Sequence, residues 1–224
     1  MEFKIPAGFA HAAPDPARLA KTRKVFASTV APVRPLPSNG VLMAIGVAVF
    51  VVLAILLAAP FGFYGFAKLG VGDRVVEYSV LLLLAFVLSG IVVEQMIPGS
   101  RRIVQPEAGV LIALLLVSLT ASMLFPDFSA PNFVARGVPC LRLGILCAVP
   151  AAGLVALAMR QGFLTDPMSA AIASGALAGL LGVCVLALHC PVLNAAHIIV
   201  WHVTVVAVAA VAASLLGWRL SRFR

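Results

Sequence analysis

Charge is scarce in this sequence. Only 11% of its 224 residues are charged and 62% are hydrophobic, whereas a soluble domain carries about 25% charged residues. The scarcity excludes a soluble globular protein and points to an integral membrane one. Catalytic signatures are equally missing. No G-x-S-x-G elbow, H-E-x-x-H, P-loop or C-x-x-C occurs, so none of the chemistry carried by those motifs is indicated. Ionisable groups are lacking where a pump or transporter would keep them, at membrane depth. Glu77, Glu94, Glu107 and Arg142 all fall at or near predicted helix ends. Nor is there an inverted repeat, or a pair of Gly/Pro-broken spans of the transporter kind.

What the sequence does have is long apolar runs, at residues 41–59, 78–93, 108–126, 143–159, 167–188 and 203–218. A helix needs about 20 such residues to cross the hydrocarbon core, so the shorter runs, extended past their flanking charges, give six spans. The first run is 19 residues long and follows a polar leader. A signal peptide has a short basic head and a shorter apolar stretch, so this run is read as a retained span. The expected fold is an all-α, polytopic six-transmembrane-helix bundle. Residues 1–39 form the leader, 40–218 the membrane domain and 219–224 a basic tail.

Twelve basic residues fall in the leader, the second and fourth loops and the tail, against four in the other loops. The positive-inside rule then places both termini in the cytoplasm. The net charge of +8 is thereby an orientation signal, and no direct nucleic-acid contact is read from it. Tyr64 and Tyr78 flank the first loop, and Trp201 and Trp218 lie about 25 Å apart along a helix. Both pairs suit interfacial belts against a lipid bilayer. Pro150 is expected to kink the fourth span. Gly175, Gly179 and Gly182, with Ser174 and Ala178, give the fifth a small-residue face for close helix packing or oligomerisation.

Four cysteines are present. Cys147 and Cys184 lie inside spans, where a thiol packs as a small hydrophobe. In antiparallel fourth and fifth spans, Cys140 matches Cys190 in depth and Cys147 matches Cys184. Yet Cys184 and Cys190, six residues apart, diverge by about 120° around a helix, so only one pair can face well. Cys140 and Cys190 are the better candidates. They stand at the outer rim, on the side where disulfides are permitted and thiolates can form near water.

Histidines gather at the same rim. Thiolate and imidazole groups suit zinc, cadmium or copper(I), so Cys140, Cys190, His189 and His197 are the candidate ligands for a transient heavy-metal ion. His197 and His202, five residues apart, point about 140° away from each other on an α-helix, and at most one is expected to join a shared site. The competing readings are packed or interfacial rings, a haem pair facing a cavity, or an intramembrane protease pairing Ser174 with His197 or His202. In the leader, residues 16–30 can form a helix with Leu19, Phe26 and Val30 along one side and Arg18, Lys21 and Lys24 largely elsewhere. Such a segment can bind a soluble partner, lie on anionic lipid, or stay disordered. Leu19, Phe26, Val30 and Arg34 are its candidate partner-binding residues.

Three segments carry a family resemblance. They are Ala31-Pro32-Val33-Arg34-Pro35-Leu36-Pro37 before the first span, Cys140-Leu141-Arg142-Leu143-Gly144 opening the fourth, and Leu188-His189-Cys190-Pro191 closing the fifth. In that order on six spans, they make the chain resemble the NrsF family of inner-membrane anti-sigma factors. The missing catalytic constellation is read as a regulator rather than an enzyme, and the resemblance implies one that holds an extracytoplasmic-function sigma factor of the SigF type at the cytoplasmic face. Release would follow heavy-metal or oxidative stress, sensed by two periplasmic-side cysteines that correspond here to Cys140 and Cys190. The rival from another class is a small-solute permease or a redox membrane enzyme.

Overall fold

The computed structural model describes residues 15–29, 37–97, 104–129, 131–160 and 166–221. The chain divides into two compact units, Met1–Pro37 and Ser38–Arg224. In the first, α1 runs over Pro16–Thr29. Asp15 starts it: its Oδ1 accepts from the Ala17 N–H at 3.0 Å and its carbonyl from the Leu19 N–H at 3.0 Å. A proline at the first helical position costs no hydrogen bond there. Leu19 is exposed on this helix. The side chain of Phe26, and Val30 and Arg34 altogether, lie outside the described residues.

The second unit is helical throughout its described residues, with no strand. Its elements are α2 (Asn39–Ala58), a 3-10 turn (Ala59–Phe61), α3 (Tyr64–Lys68), α4 (Val71–Met96), α5 (Pro106–Leu124), α6 (Phe133–Met159), α7 (Pro167–His189), α8 (Ala195–His197), a π-turn (Ile198–His202) and α9 (Val203–Ser221). Six stretches are long and apolar enough to cross a membrane: Asn39–Phe61, Val71–Met96, Pro106–Leu124, Phe133–Met159, Pro167–His189 and Ala195–Arg219. The protein is therefore an all-α, multi-pass membrane bundle. Several spans begin well before the apolar runs do. α4 starts at Val71 and passes through Asp73, Arg74 and Glu77, and α6 starts at Phe133 and passes through Arg136 and Arg142. Charged side chains end a hydropathy run without breaking backbone hydrogen bonds, and at a span end they reach the interface. The last helix likewise continues past residue 218 to Ser221.

α7 sits at the centre, and residues 173–187 are all buried. Asp166 caps its start, accepting at Oδ1 from the Met168 and Ser169 N–H groups at 3.2 Å each and at Oδ2 from the Ser169 hydroxyl at 2.7 Å. Small residues let its neighbours come close. A Cβ added at Gly175 would lie 2.5 Å from the Ala209 carbonyl oxygen, and one at Gly182 would lie 2.4 Å from that of Gly144. The small-residue face is thus spent on packing α7 against α9 and α6 within the chain. α7 also touches α2, α3, α4 and α5. Cys147 and Cys184 are buried in the apolar core formed around it. Pro139 and Pro150 both lie inside α6, which continues through each of them.

Candidate thiol and imidazole site

α7 ends because Cys190 leaves the helical conformation (φ −71°, ψ 118°) and Pro191 has no N–H with which to continue. The Cys190 N–H still donates to the Leu186 carbonyl at 2.7 Å, so the cysteine is the last residue tied to the helix. Cys140 stands on the second turn of α6 rather than at its opening. The two sulfurs lie 3.5 Å apart as free thiols. Residues of α4 and of the α2–α4 connection brace this end. The Tyr78 hydroxyl donates to the Ala187 carbonyl at 3.2 Å, Lys68 Nζ to the Pro191 carbonyl at 3.2 Å, and His189 Nδ1 to the Gly62 carbonyl at 3.1 Å.

That last bond corrects one expectation. His189 adjoins Cys190 in sequence, but its ring points into the α2–α4 connection, edge-on to Phe61 and Tyr64 with centroids 5.8 and 5.9 Å away. It is not among the residues that gather around the thiols. On a helix, neighbours in sequence diverge by about 100°.

The second correction concerns His197 and His202. Asn194 caps α8, accepting from the His197 N–H at 3.1 Å, and its side-chain amide donates to the Ser129 carbonyl. The Ala195 N–H donates to the Asp127 carbonyl at 3.0 Å, which fastens the start of the helix to the loop before α6. The next five residues form a π-turn, Ile198–His202. Bonds from i to i+5 widen the turn and bring residues five apart onto one face. The two imidazoles therefore meet edge to face at 5.2 Å instead of pointing apart.

The result is a cluster of Cys140, Cys190, His197 and His202 whose ligand atoms all lie within 4.8 Å of one another. Cys190 Sγ is 3.5 Å from His197 Nε2, the same separation as from Cys140 Sγ. Tetrahedral zinc with bonds of about 2.3 Å to sulfur and 2.0–2.1 Å to nitrogen requires donor atoms roughly 3.3–3.8 Å apart; the two 3.5 Å spacings already match this, and the widest, up to 4.8 Å, would have to close by about 1 Å to complete a Cys2His2 site. Cys190, His197 and His202 are buried, and Cys140 is half-buried. Either thiol of the Cys140 and Cys190 pair can be the donor to the other, and the thiolate is the form that binds metal and attacks electrophiles.

A cavity of about 210 Å³, lined by Asp127, Ser129, Arg136, Asn194 and His197 among others, gives the cluster a polar neighbour at the bundle end. Hydrogen bonds from the Ser129 side chain and backbone hold the exposed Asp127 carboxyl below the usual carboxylate range. Ser174 lies 16 residues back along α7 from Cys190, about 24 Å at 1.5 Å per residue. Its hydroxyl donates to the Ala170 carbonyl at 2.6 Å. Sequence reasoning missed His202 as a companion of His197, and the Asp127 and Asn194 contacts that seat α8, because it assumed α-helical spacing throughout.

No curated protein and no solved structure matches this chain. A family model does, that of NrsF, the negative regulator of sigma F, over residues 26–223. The match begins within α1 and takes in all six spans and both cysteines of the cluster, and the chain belongs to that family.

Proposed function

We propose that this protein is a membrane-bound anti-sigma factor that holds an extracytoplasmic-function sigma factor of the SigF type at the cytoplasmic face. It releases that partner when heavy metal or oxidant reaches the thiol and imidazole cluster from the periplasmic side. The observation that carries the reading is the convergence of four soft ligand atoms within 4.8 Å at one end of α6, α7 and α8, in a chain whose family is one of sigma-factor regulators. Thiolate and imidazole donors select zinc, cadmium or copper(I) over magnesium or calcium. Cys140, Cys190, His197 and His202 would hold the ion, with the thiols giving up their protons on binding. The same two thiols can answer an oxidant. Joining them in a disulfide releases two protons and two electrons, which would reduce a peroxide to water or alcohol. The excess of basic residues in the leader, the tail and the even-numbered loops supports the orientation, and the leader, with Leu19, Phe26, Val30 and Arg34, is the segment offered to the partner.

Co-purification of the tagged chain with its sigma factor, before and after cadmium or peroxide, tests the proposal. The Cys140→Ser/Cys190→Ser double variant should retain the partner and fail to release it under either stimulus. Normal release by that variant, or the absence of a sigma factor from the wild-type complex, would overturn the reading.

A further inference from the structure

A second, smaller cavity of about 20 Å³ lies inside the bundle against the back of the cluster, lined by Glu77 of α4, Thr120 and Val117 of α5, Phe125, Ile198 and His202 among others. Two of its lining residues carry buried polar atoms without hydrogen-bond partners, Glu77 Oε2 and His202 Nε2, both shut off from solvent. Leaving a carboxylate oxygen and an imidazole nitrogen unbonded in an apolar interior is costly. About 10–15 Å³ suffices for one ordered water, provided polar groups surround it, and this space meets both conditions.

We infer that Glu77 is a positioning residue for the thiol and imidazole site, bridged to His202 by a single water held in this cavity. A neutral imidazole donates from one nitrogen and accepts at the other. In this bridge the water donates to the carboxylate and accepts the Nε2–H, which sets the tautomer and leaves the Nδ1 lone pair free for a metal ion. Carboxylates behind metal-binding histidines perform this service widely, and their removal typically costs about 10- to 100-fold in metal affinity. The bridge also ties α4 to the site by adjacent residues. Glu77 reaches the cavity while the Tyr78 hydroxyl donates to the Ala187 carbonyl of α7 at 3.2 Å. The functional meaning of the bridge rests on the proposed sensing role, whereas the tautomer it imposes does not.

The test uses the full chain in detergent, labelled with 15N-histidine and stripped of metal by a chelator, with the ring signals of His202 assigned from a His202→Ala variant. Wild type should show one His202 tautomer with its proton on Nε2. Glu77→Ala should give a mixture or the opposite tautomer, and Glu77→Gln, whose amide oxygen still accepts, should resemble wild type. Should Glu77→Ala fail to fold, Glu77→Leu, which fills the cavity, gives the same readout. Unchanged His202 signals in the apolar variant, or a mixed tautomer in wild type, would overturn the inference. Titration with cadmium ion alone, followed by thiolate-to-metal charge-transfer absorbance, supplies the second readout. A roughly 10- to 100-fold weaker Kd is expected for Glu77→Ala, and an unchanged Kd would remove the positioning role. Failure of wild type to bind cadmium would count against the proposed sensing function, and the tautomer would still decide for or against the bridge.

Discussion

His197 and His202 stand five residues apart and face each other edge to face with centroids 5.2 Å apart, because the turn between them is a π-turn. On an α-helix the same spacing would leave them about 140° apart. Backbone geometry, rather than residue spacing, makes a four-ligand cluster out of what would otherwise be a three-ligand one.

Helix register at this turn can therefore be tested directly. Deleting Ile199 turns the pair into i, i+4 neighbours, about 40° apart on an α-helix, and should preserve cadmium binding within a few-fold. Inserting an alanine after Ile199 makes them i, i+6, about 120° on the far side, and should weaken binding by an order of magnitude or more. Charge-transfer titration separates the two outcomes, and equal affinity in both variants would show that the second histidine is dispensable.

Access to the thiols should be unequal. Cys190 is only 2% exposed and Cys140 is half-buried. A membrane-impermeant maleimide added to intact spheroplasts is expected to label wild type and Cys190→Ser, and not Cys140→Ser. Labelling that requires a breached inner membrane would reverse the proposed orientation.

The brace between α2 and α4 should tolerate no side chain at Gly65. A Cβ there would sit 2.5 Å from the Ala187 carbonyl oxygen and 2.7 Å from that of Cys190, and backbone atoms cannot swing aside as a side-chain tip can. Gly65→Ala should cost about 1–3 kcal/mol, the usual range for overpacking, read as a lower Tm in detergent. Gly153→Ala, with open space around it, is the control and should leave Tm unchanged or slightly higher.

Partner binding is expected to depend on the leader. Removing residues 1–30 should abolish co-purification of the sigma factor while leaving cadmium affinity at the cluster unchanged. Retention of the partner by the truncated chain would move the docking surface elsewhere.

Much of this was legible before any coordinates. Composition alone gave the six spans, since nothing but a membrane rewards so many apolar residues in so few runs. Antiparallel depth matching allowed Cys140 with Cys190 and Cys147 with Cys184 alike, and the position at the rim, near water, singled out the first pair. Three things were not legible. Helix ends at Val71 and Phe133 were hidden because hydropathy stops at a charge while the hydrogen-bond ladder does not. His189 was assigned by adjacency to Cys190, although a helix turns consecutive side chains in different directions. His202 was discounted because a π-turn leaves no mark in the spacing of apolar residues. A Cβ at Gly137 would lie 1.9 Å from the Trp201 ring, which shows how closely α6 packs against this turn, but that contact joins residues 64 positions apart and no local pattern announces it.

Cys190 has a further property as the closing residue of α7. Its sulfur is in the cluster, its N–H is bonded to Leu186, and the next carbonyl, that of Pro191, is gripped by Lys68. The ligand atom is thus the handle of a rod, and that rod runs through the middle of the bundle against every other span. A pull on this one sulfur acts on the end of the rod, and the close glycine contacts with α6 and α9 leave it little slack in which to be lost.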